Sequence, residues 1–317
     1  DLVRSRGLGD VYKRQIKEKR YDERLTTSDL GLPAAEKLIA DLGWDKKEIG
    51  ALVFVSQTPD YILPATACIL QAKLGLERSC MAMDINLGCS GWVYGLSVLS
   101  SLMQTGNIKK AILLAGDARK QAKEELDQLF GYACTATALE YSKEAKPFYF
   151  DLGTDGTGYD AIIRPGGGCR NQFNEDSLKL ELCEDGRKRH AIQTRMKGMD
   201  VFAFGITTAP KSIKKLTANY EMDYTSFDYV ILHQANYKMT ETIRKKLKLD
   251  AEKMPYSMLH FGNTSSASIP LTIVTQLKGK IEDKPTKIIG CAFGVGLSWG
   301  TVAFETEHLL ISELVEV

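Results

Sequence analysis

The 317-residue chain predicts an α/β fold written as two similar halves. Three features carry that expectation: short continuous apolar runs, helix-spaced segments alternating with them, and the same grammar repeated in the second half. The run Ile49–Val55 is apolar almost throughout and rich in β-formers, as a strand covered on both faces should be. Before it, Leu30, Ala34, Leu38 and Leu42 recur at helical spacing behind the capping signal Thr27-Ser28-Asp29. After it the pattern predicts a helix over 65–74, a strand over 81–86, a break at Gly88, a helix rich in small residues over 90–103 and a strand over 111–114. The second half predicts a helix over 196–216, the strand Tyr229–Leu232, helices over 238–247 and 269–277, and strands over 287–292 and 301–305. On this reading residues 16–160 form the first half and 161–317 the second. Gly50 to Val55 beside Phe227 to Leu232 shows strand type without clear identity, so duplication and ordinary recurrence of βα units both remain open.

Composition narrows the class. With 44% hydrophobic and 26% charged residues the chain can bury a full core, which excludes a disordered protein. A net charge of +1 gives no global reason to expect nucleic acid or a membrane surface as partner. No run of eighteen apolar residues and no leader pattern is present, so a cytoplasmic protein is expected. The seven cysteines include no C-x-x-C pair, which fits neither a disulfide framework nor a zinc site, and no metal is expected. The first fifteen residues, basic and Gly-rich, read as a tag, cloning scar or assembly artefact and are set aside.

Four places could carry chemistry. Cys89 stands where a strand ends at small residues and a helix is expected to begin; there the helix dipole and free N–H groups would favour its thiolate. His233 closes the run Tyr229–Leu232 and opens His-Gln-Ala-Asn, and the C-terminal end of a buried strand is where open α/β sheets build sites. A core histidine is the competing account. Asn263, within Gly262-Asn263-Thr264-Ser265-Ser266-Ala267-Ser268-Ile269-Pro270, reads most simply as a turn or helix cap. Phe293-Gly294-Val295-Gly296-Leu297-Ser298-Trp299-Gly300 is dense enough in glycine to bring backbone N–H groups against a ligand, or is a plain turn. Gly156-Thr157-Gly158-Tyr159-Asp160-Ala161 matches a dinucleotide fingerprint in letters only, because Pro165 follows where a helix would be needed.

Taken in order, these segments resemble the β-ketoacyl-ACP synthase III family, over residue 16 to about 305. The resemblance implies a thiolase-like five-layered αβαβα fold working as a homodimer in acyl-chain initiation. It implies that Cys89 carries the acyl group, that the backbone N–H groups of Cys89 and Val295 form the oxyanion hole, and that His233 and Asn263 stabilise the enolate of a decarboxylating malonyl thioester. Leu63 matches the position that enters the partner subunit's acyl pocket, and its modest size implies a longer or branched primer. Lys238, Arg244 and Lys245 are candidates to dock an acidic acyl carrier protein, or simply form a solvated helix face. Substrates are expected as acyl-CoA or carrier thioesters, with no other cofactor. The chain departs from the family before Ile16, at Phe130-Gly131-Tyr132-Ala133-Cys134, at Gln128, and at Met199 and Ala203, where pantetheine contacts are usual. An acyltransferase that passes the acyl group to a hydroxyl or amine is the alternative.

Overall fold

The computed structural model describes residues 16–119 and 129–317; the expectations for residues 1–15 and Gln128 lie outside it. Two mixed sheets dominate. The first contains β1 (Ile49–Val55), β2 (Met81–Ile85), β3 (Lys110–Asp117) and β4 (Ala133–Glu140) in the order β2-β1-β3-β4, with β4 antiparallel to β3. The second contains β5 (Tyr149–Thr154), β10 (Tyr229–Leu232), β11 (Thr286–Gly294) and β12 (Ser298–Thr306) in the order β10-β11-β12-β5. Between them in sequence, β6 (Ile162–Ile163) pairs with β9 (Arg195–Met196), and β7 (Glu181–Leu182) with β8 (Lys188–Arg189).

Strand alternation sorts the side chains into layers. Ala51, Val53 and Val55 of β1 face inward, while Ile49, Leu52 and Phe54 face outward onto α1 (Thr27–Leu42) and α2 (Thr66–Lys73). In the second sheet Ile231, Ile288 and Val302 face inward, and Val230, Ile289 and Ala303 face outward. That outer face is covered by α4 (Gly198–Asn219), with α5 (Tyr237–Leu247) packed beside it. The inner faces meet across α3 (Gly91–Gln104), which supplies Trp92, Val93, Leu96 and Leu99, and across α7 (Ser268–Thr272), which follows the short α6 (Met258–Phe261) and supplies Ile269. The stack is therefore helix, sheet, helix, sheet, helix, the five layers expected.

The expected strands Ile49–Val55 and Tyr229–Leu232 are present with those bounds. Strand β5, which precedes the division expected at 160, pairs antiparallel with β12 in the second sheet. Likewise β11 and β12 run further than their expected bounds, which leaves only residues 295–297 as the loop of the glycine-rich hairpin. No helix among the described residues is long and apolar enough to cross a membrane.

Candidate active site

Cys89 lies in the bend from β2 into α3. Asp84 anchors the approach, accepting the N–H groups of Thr66 and Ala67 at 2.7 and 2.8 Å and so placing a negative charge at the start of α2. The glycine hairpin closes on the bend from the second sheet. A β-carbon on Gly294 would stand 2.9 Å from both Cβ and Sγ of Cys89, and one on Gly88 would stand 3.4 Å from Val295 Cγ2. Ser90 and Ser298 hydroxyls, 2.7 Å apart, tie the two segments together. Among the described residues the N–H groups of Cys89 and Val295 donate to no other protein group.

The electrostatics correct the expectation of a lowered thiol pKa. Burial pushes Cys89 up to about 11, and the Asp117 carboxylate adds to the shift. A hydrogen bond with the Ser265 side chain, the positive charge of Arg119 and the cysteine's own N–H act the other way. The helix N-cap is Ser90, so the sulfur stands one residue outside the helix.

His233 leaves the end of β10 with its N–H bonded to Cys291 O at 2.8 Å. Its Nδ1 lies 2.8 Å from Ser268 Oγ, and the ring stands edge-on to Phe293, centroids 5.9 Å apart. Burial holds its pKa down at about 3, against a backbone hydrogen bond with Ser265 that favours protonation, so the imidazole is neutral. Asn263 follows α6. Its backbone pairs with Leu129 and Gly131, at 2.8 and 3.1 Å, and its Oδ1 accepts the N–H of Ser265 at 2.9 Å. The local turn expected of this residue is thus real, and it leaves Nδ2 as the end free to donate.

These contacts bring the three predicted side chains together through one residue. Ser265, held at φ 53°, touches the Cys89 sulfur through its hydroxyl and the His233 ring and Asn263 Oδ1 through its backbone. Cys291, by contrast, is buried on the outer side of β11, with its thiol pushed up to about 12.

The remaining candidates lie elsewhere. Leu63 is 80% exposed in the single chain, beside exposed Tyr61 and Ile62. Lys238 and Lys245 are exposed on α5, whereas Arg244 is held by Glu241 at 2.8 Å and by Leu249 O at 2.6 Å, which removes it from a free basic patch. Residues that the sequence did not reveal include Ser265 itself, Asp117 and Arg119. Nothing in their local sequence distinguishes them; only the fold assembles them.

The layered fold defines the chain as a thiolase-fold protein. Two family models match it: that of 3-oxoacyl-[acyl-carrier-protein] synthase III over residues 83–156 and that of the same enzyme's C-terminal part over residues 217–306. It is 33% identical to a putative 3-oxoacyl-[acyl-carrier-protein] synthase 3 of Campylobacter jejuni, covering 93% of this chain and 83% of that one. It is 31% identical to the β-ketoacyl-[acyl-carrier-protein] synthase III of Clostridium acetobutylicum over 92% of this chain and 87% of that one. The crystal structure of a 3-oxoacyl-(acyl-carrier-protein) synthase from Burkholderia xenovorans superposes with a TM-score of 0.87 at 37% identity, covering 97% and 88% of the respective chains. The chain belongs to the β-ketoacyl-ACP synthase III family.

Proposed function

We propose that this protein condenses an acyl thioester primer with malonyl-ACP, losing CO₂, and so initiates an acyl chain. The observation that carries the residue assignment is the position of Ser265, in contact with Cys89, His233 and Asn263 at once.

In the first half-reaction Cys89 Sγ attacks the thioester carbonyl. The resulting oxyanion accepts hydrogen bonds from the N–H groups of Cys89 and Val295, and the departing thiol carries away the proton that Cys89 loses. In the second, the malonyl thioester loses CO₂ and its electron pair passes to the thioester oxygen. His233 and Asn263 donate to that oxygen, each well-aimed donor contributing about 3–4 kcal/mol. Neutrality suits His233 here: an imidazolium would be costly in so dry a site, whereas a neutral N–H stabilises the enolate without protonating it. The enolate carbon then attacks acyl-Cys89, and the sulfur leaves.

The reading extends to a cytoplasmic homodimer in which the exposed Tyr61-Ile62-Leu63 segment enters the neighbouring subunit and Leu63 borders its acyl pocket. Acyl-CoA supplies the primer, and the acyl carrier protein docks at Lys238 and Lys245, with no cofactor beyond these carriers. The test separates the half-reactions. Cys89→Ala should abolish the acyl adduct seen by mass spectrometry, while His233→Ala and Asn263→Ala should keep it and lose CO₂ release from malonyl-ACP. Unchanged condensation in any of the three would reject the assignment.

A further inference from the structure

Cys89 and His233 both follow strands of the main sheets, whereas Asn263 is seated by a single parallel bridge to Phe130 that belongs to neither sheet. Two hydrogen bonds make that bridge: Asn263 N–H to Leu129 O at 2.8 Å, and Gly131 N–H to Asn263 O at 3.1 Å. Just before it stands Gly262 at φ 67°, a backbone angle that suits glycine and a free pivot unless its neighbours are fixed. A β-carbon on Gly262 would stand 2.7 Å from Leu129 O, so the two segments lie backbone against backbone. The Ser265 N–H orients the Asn263 carboxamide within its own turn. Where the turn as a whole stands depends on how α6, ahead of the pivot, is held against residues 129–132.

Arg20 grips both sides. Its carbonyl accepts the Tyr132 N–H at 2.8 Å, on the chain that runs on from the bridge. Its Nη1 donates to His260 O at 2.5 Å, and the guanidinium lies 4.2 Å from the ring centroid of Phe261. The last carbonyls of a helix have no partner within it, so His260 O, at the end of α6, is an acceptor that another group must serve. Upstream, the N–H groups of Lys17 and Glu18 reach Leu259 O at 2.7 and 3.2 Å and seat the same strap on the same helix. Nε and Nη2 turn to Glu316 Oε1 at 3.2 and 3.0 Å, and Glu18 Oε2 lies 3.6 Å from Nη1. These ion pairs are exposed and stabilise little by themselves. They do leave the guanidinium occupied by protein groups and not open to a substrate phosphate.

We propose that Arg20 is a positioning residue for enolate formation: by clamping α6 to the segment that bridges Asn263, it fixes where the Asn263 turn stands. The proposal rests on the reading of Asn263 as a donor to the enolate oxygen. Arg20 acts through Asn263 and not on the reacting atoms. Its effect therefore falls on the second half-reaction. The first depends on Cys89 and on the N–H groups of Cys89 and Val295, which stand on the bend from β2 into α3 and on the glycine hairpin. A donor must meet the developing oxyanion at hydrogen-bond distance, so a small shift of the turn weakens the transition state before it disturbs binding.

The full chain carrying Arg20→Gln is given butyryl-CoA and then malonyl-ACP. Mass spectrometry should show the Cys89 adduct forming at the wild-type rate, while kcat for CO₂ release falls by about tenfold and KM for malonyl-ACP holds, a part of the roughly hundredfold cost of a misplacement of about 1 Å. A double-mutant cycle decides the route: in an Asn263→Ala background, Arg20→Gln should lower CO₂ release no further. A general strut for the fold would instead lower the melting temperature, slow loading and CO₂ release alike, and add its loss to that of Asn263→Ala. That pattern, or a wild-type kcat in Arg20→Gln, overturns the proposal. Arg20→Lys keeps a charged donor for His260 O and guards against a failure to fold; it should show the same selective loss to a smaller degree. Undiminished CO₂ release in Asn263→Ala alone would refute the enolate reading and this proposal with it. Loss in Asn263→Ala beside wild-type release in Arg20→Gln would refute the clamp and leave that reading intact.

Discussion

Gly294 and Cys89 are packed so closely that any side chain on the glycine collides with the nucleophile, a β-carbon there standing 2.9 Å from Sγ. Among the described residues, its chain neighbours aside, those cysteine atoms are the ones such a β-carbon meets within 4 Å, so the collision is local to the chemistry. Gly294→Ala should therefore keep the fold and slow acylation of Cys89 by about a hundredfold, the scale of a small misplacement at a reacting atom. Time-resolved mass spectrometry of the adduct, beside a melting curve, reads both; wild-type loading rates would contradict the geometry.

Ser265 supplies the hydroxyl that favours the Cys89 thiolate. Ser265→Ala removes only that group and leaves the backbone bonds to His233 and Asn263. With a thiol already pushed up to about 11, the alkylation rate of wild-type Cys89 should keep rising with pH beyond 9, past the range of an ordinary thiol. In the variant the whole profile should shift further upward, whereas a wild-type plateau near pH 8 would contradict the raised thiol.

The His233 ring is held near pKa 3 in the folded protein against 6.5 ordinarily. Below pH 6.5 the unfolded chain binds this proton and the folded chain does not, so acid favours unfolding until the pH nears 3. The cost is about 1.4 kcal/mol per pH unit, or about 2 kcal/mol between pH 6.5 and 5. His233→Gln should lose correspondingly less stability than wild type between those values in urea melts. Equal losses would contradict the folded-state value.

Arg244 and Lys238 separate by role although both were read from the same helix. Arg244→Ala releases Glu241 and the Leu249 carbonyl and should lower stability by about 1–2 kcal/mol with little effect on the carrier substrate. Lys238→Glu should leave stability unchanged and raise KM for malonyl-ACP, more so at low salt. A KM unaffected by Lys238→Glu would remove this residue from the docking surface.

Strands buried on both faces were legible because parallel sheets write continuous apolar runs: Ile49–Val55 and Tyr229–Leu232 stand as expected. Strand β4 was not, because Ala-Cys-Thr-Ala-Thr-Ala carries little apolar contrast. Nor was β5, whose Asp151 breaks the pattern; in the structure it accepts from Ser212 at 2.7 Å and pairs with Lys215 at 2.6 Å. Missing β5 as a strand hid its pairing with β12. At the site, Cys89, His233 and Asn263 could be named because each sits in a distinctive run of residues. Ser265 was one hydroxyl among several in its run.

The inner cluster draws Val53 and Trp92 from one half and Ile231, Ile288 and Val302 from the other. A single half cut free would bare its own inner face to water, and the surface best shaped to cover it is a second copy of the same kind. The two sheets should consequently melt in one calorimetric transition, because neither half can keep its inner face dry alone.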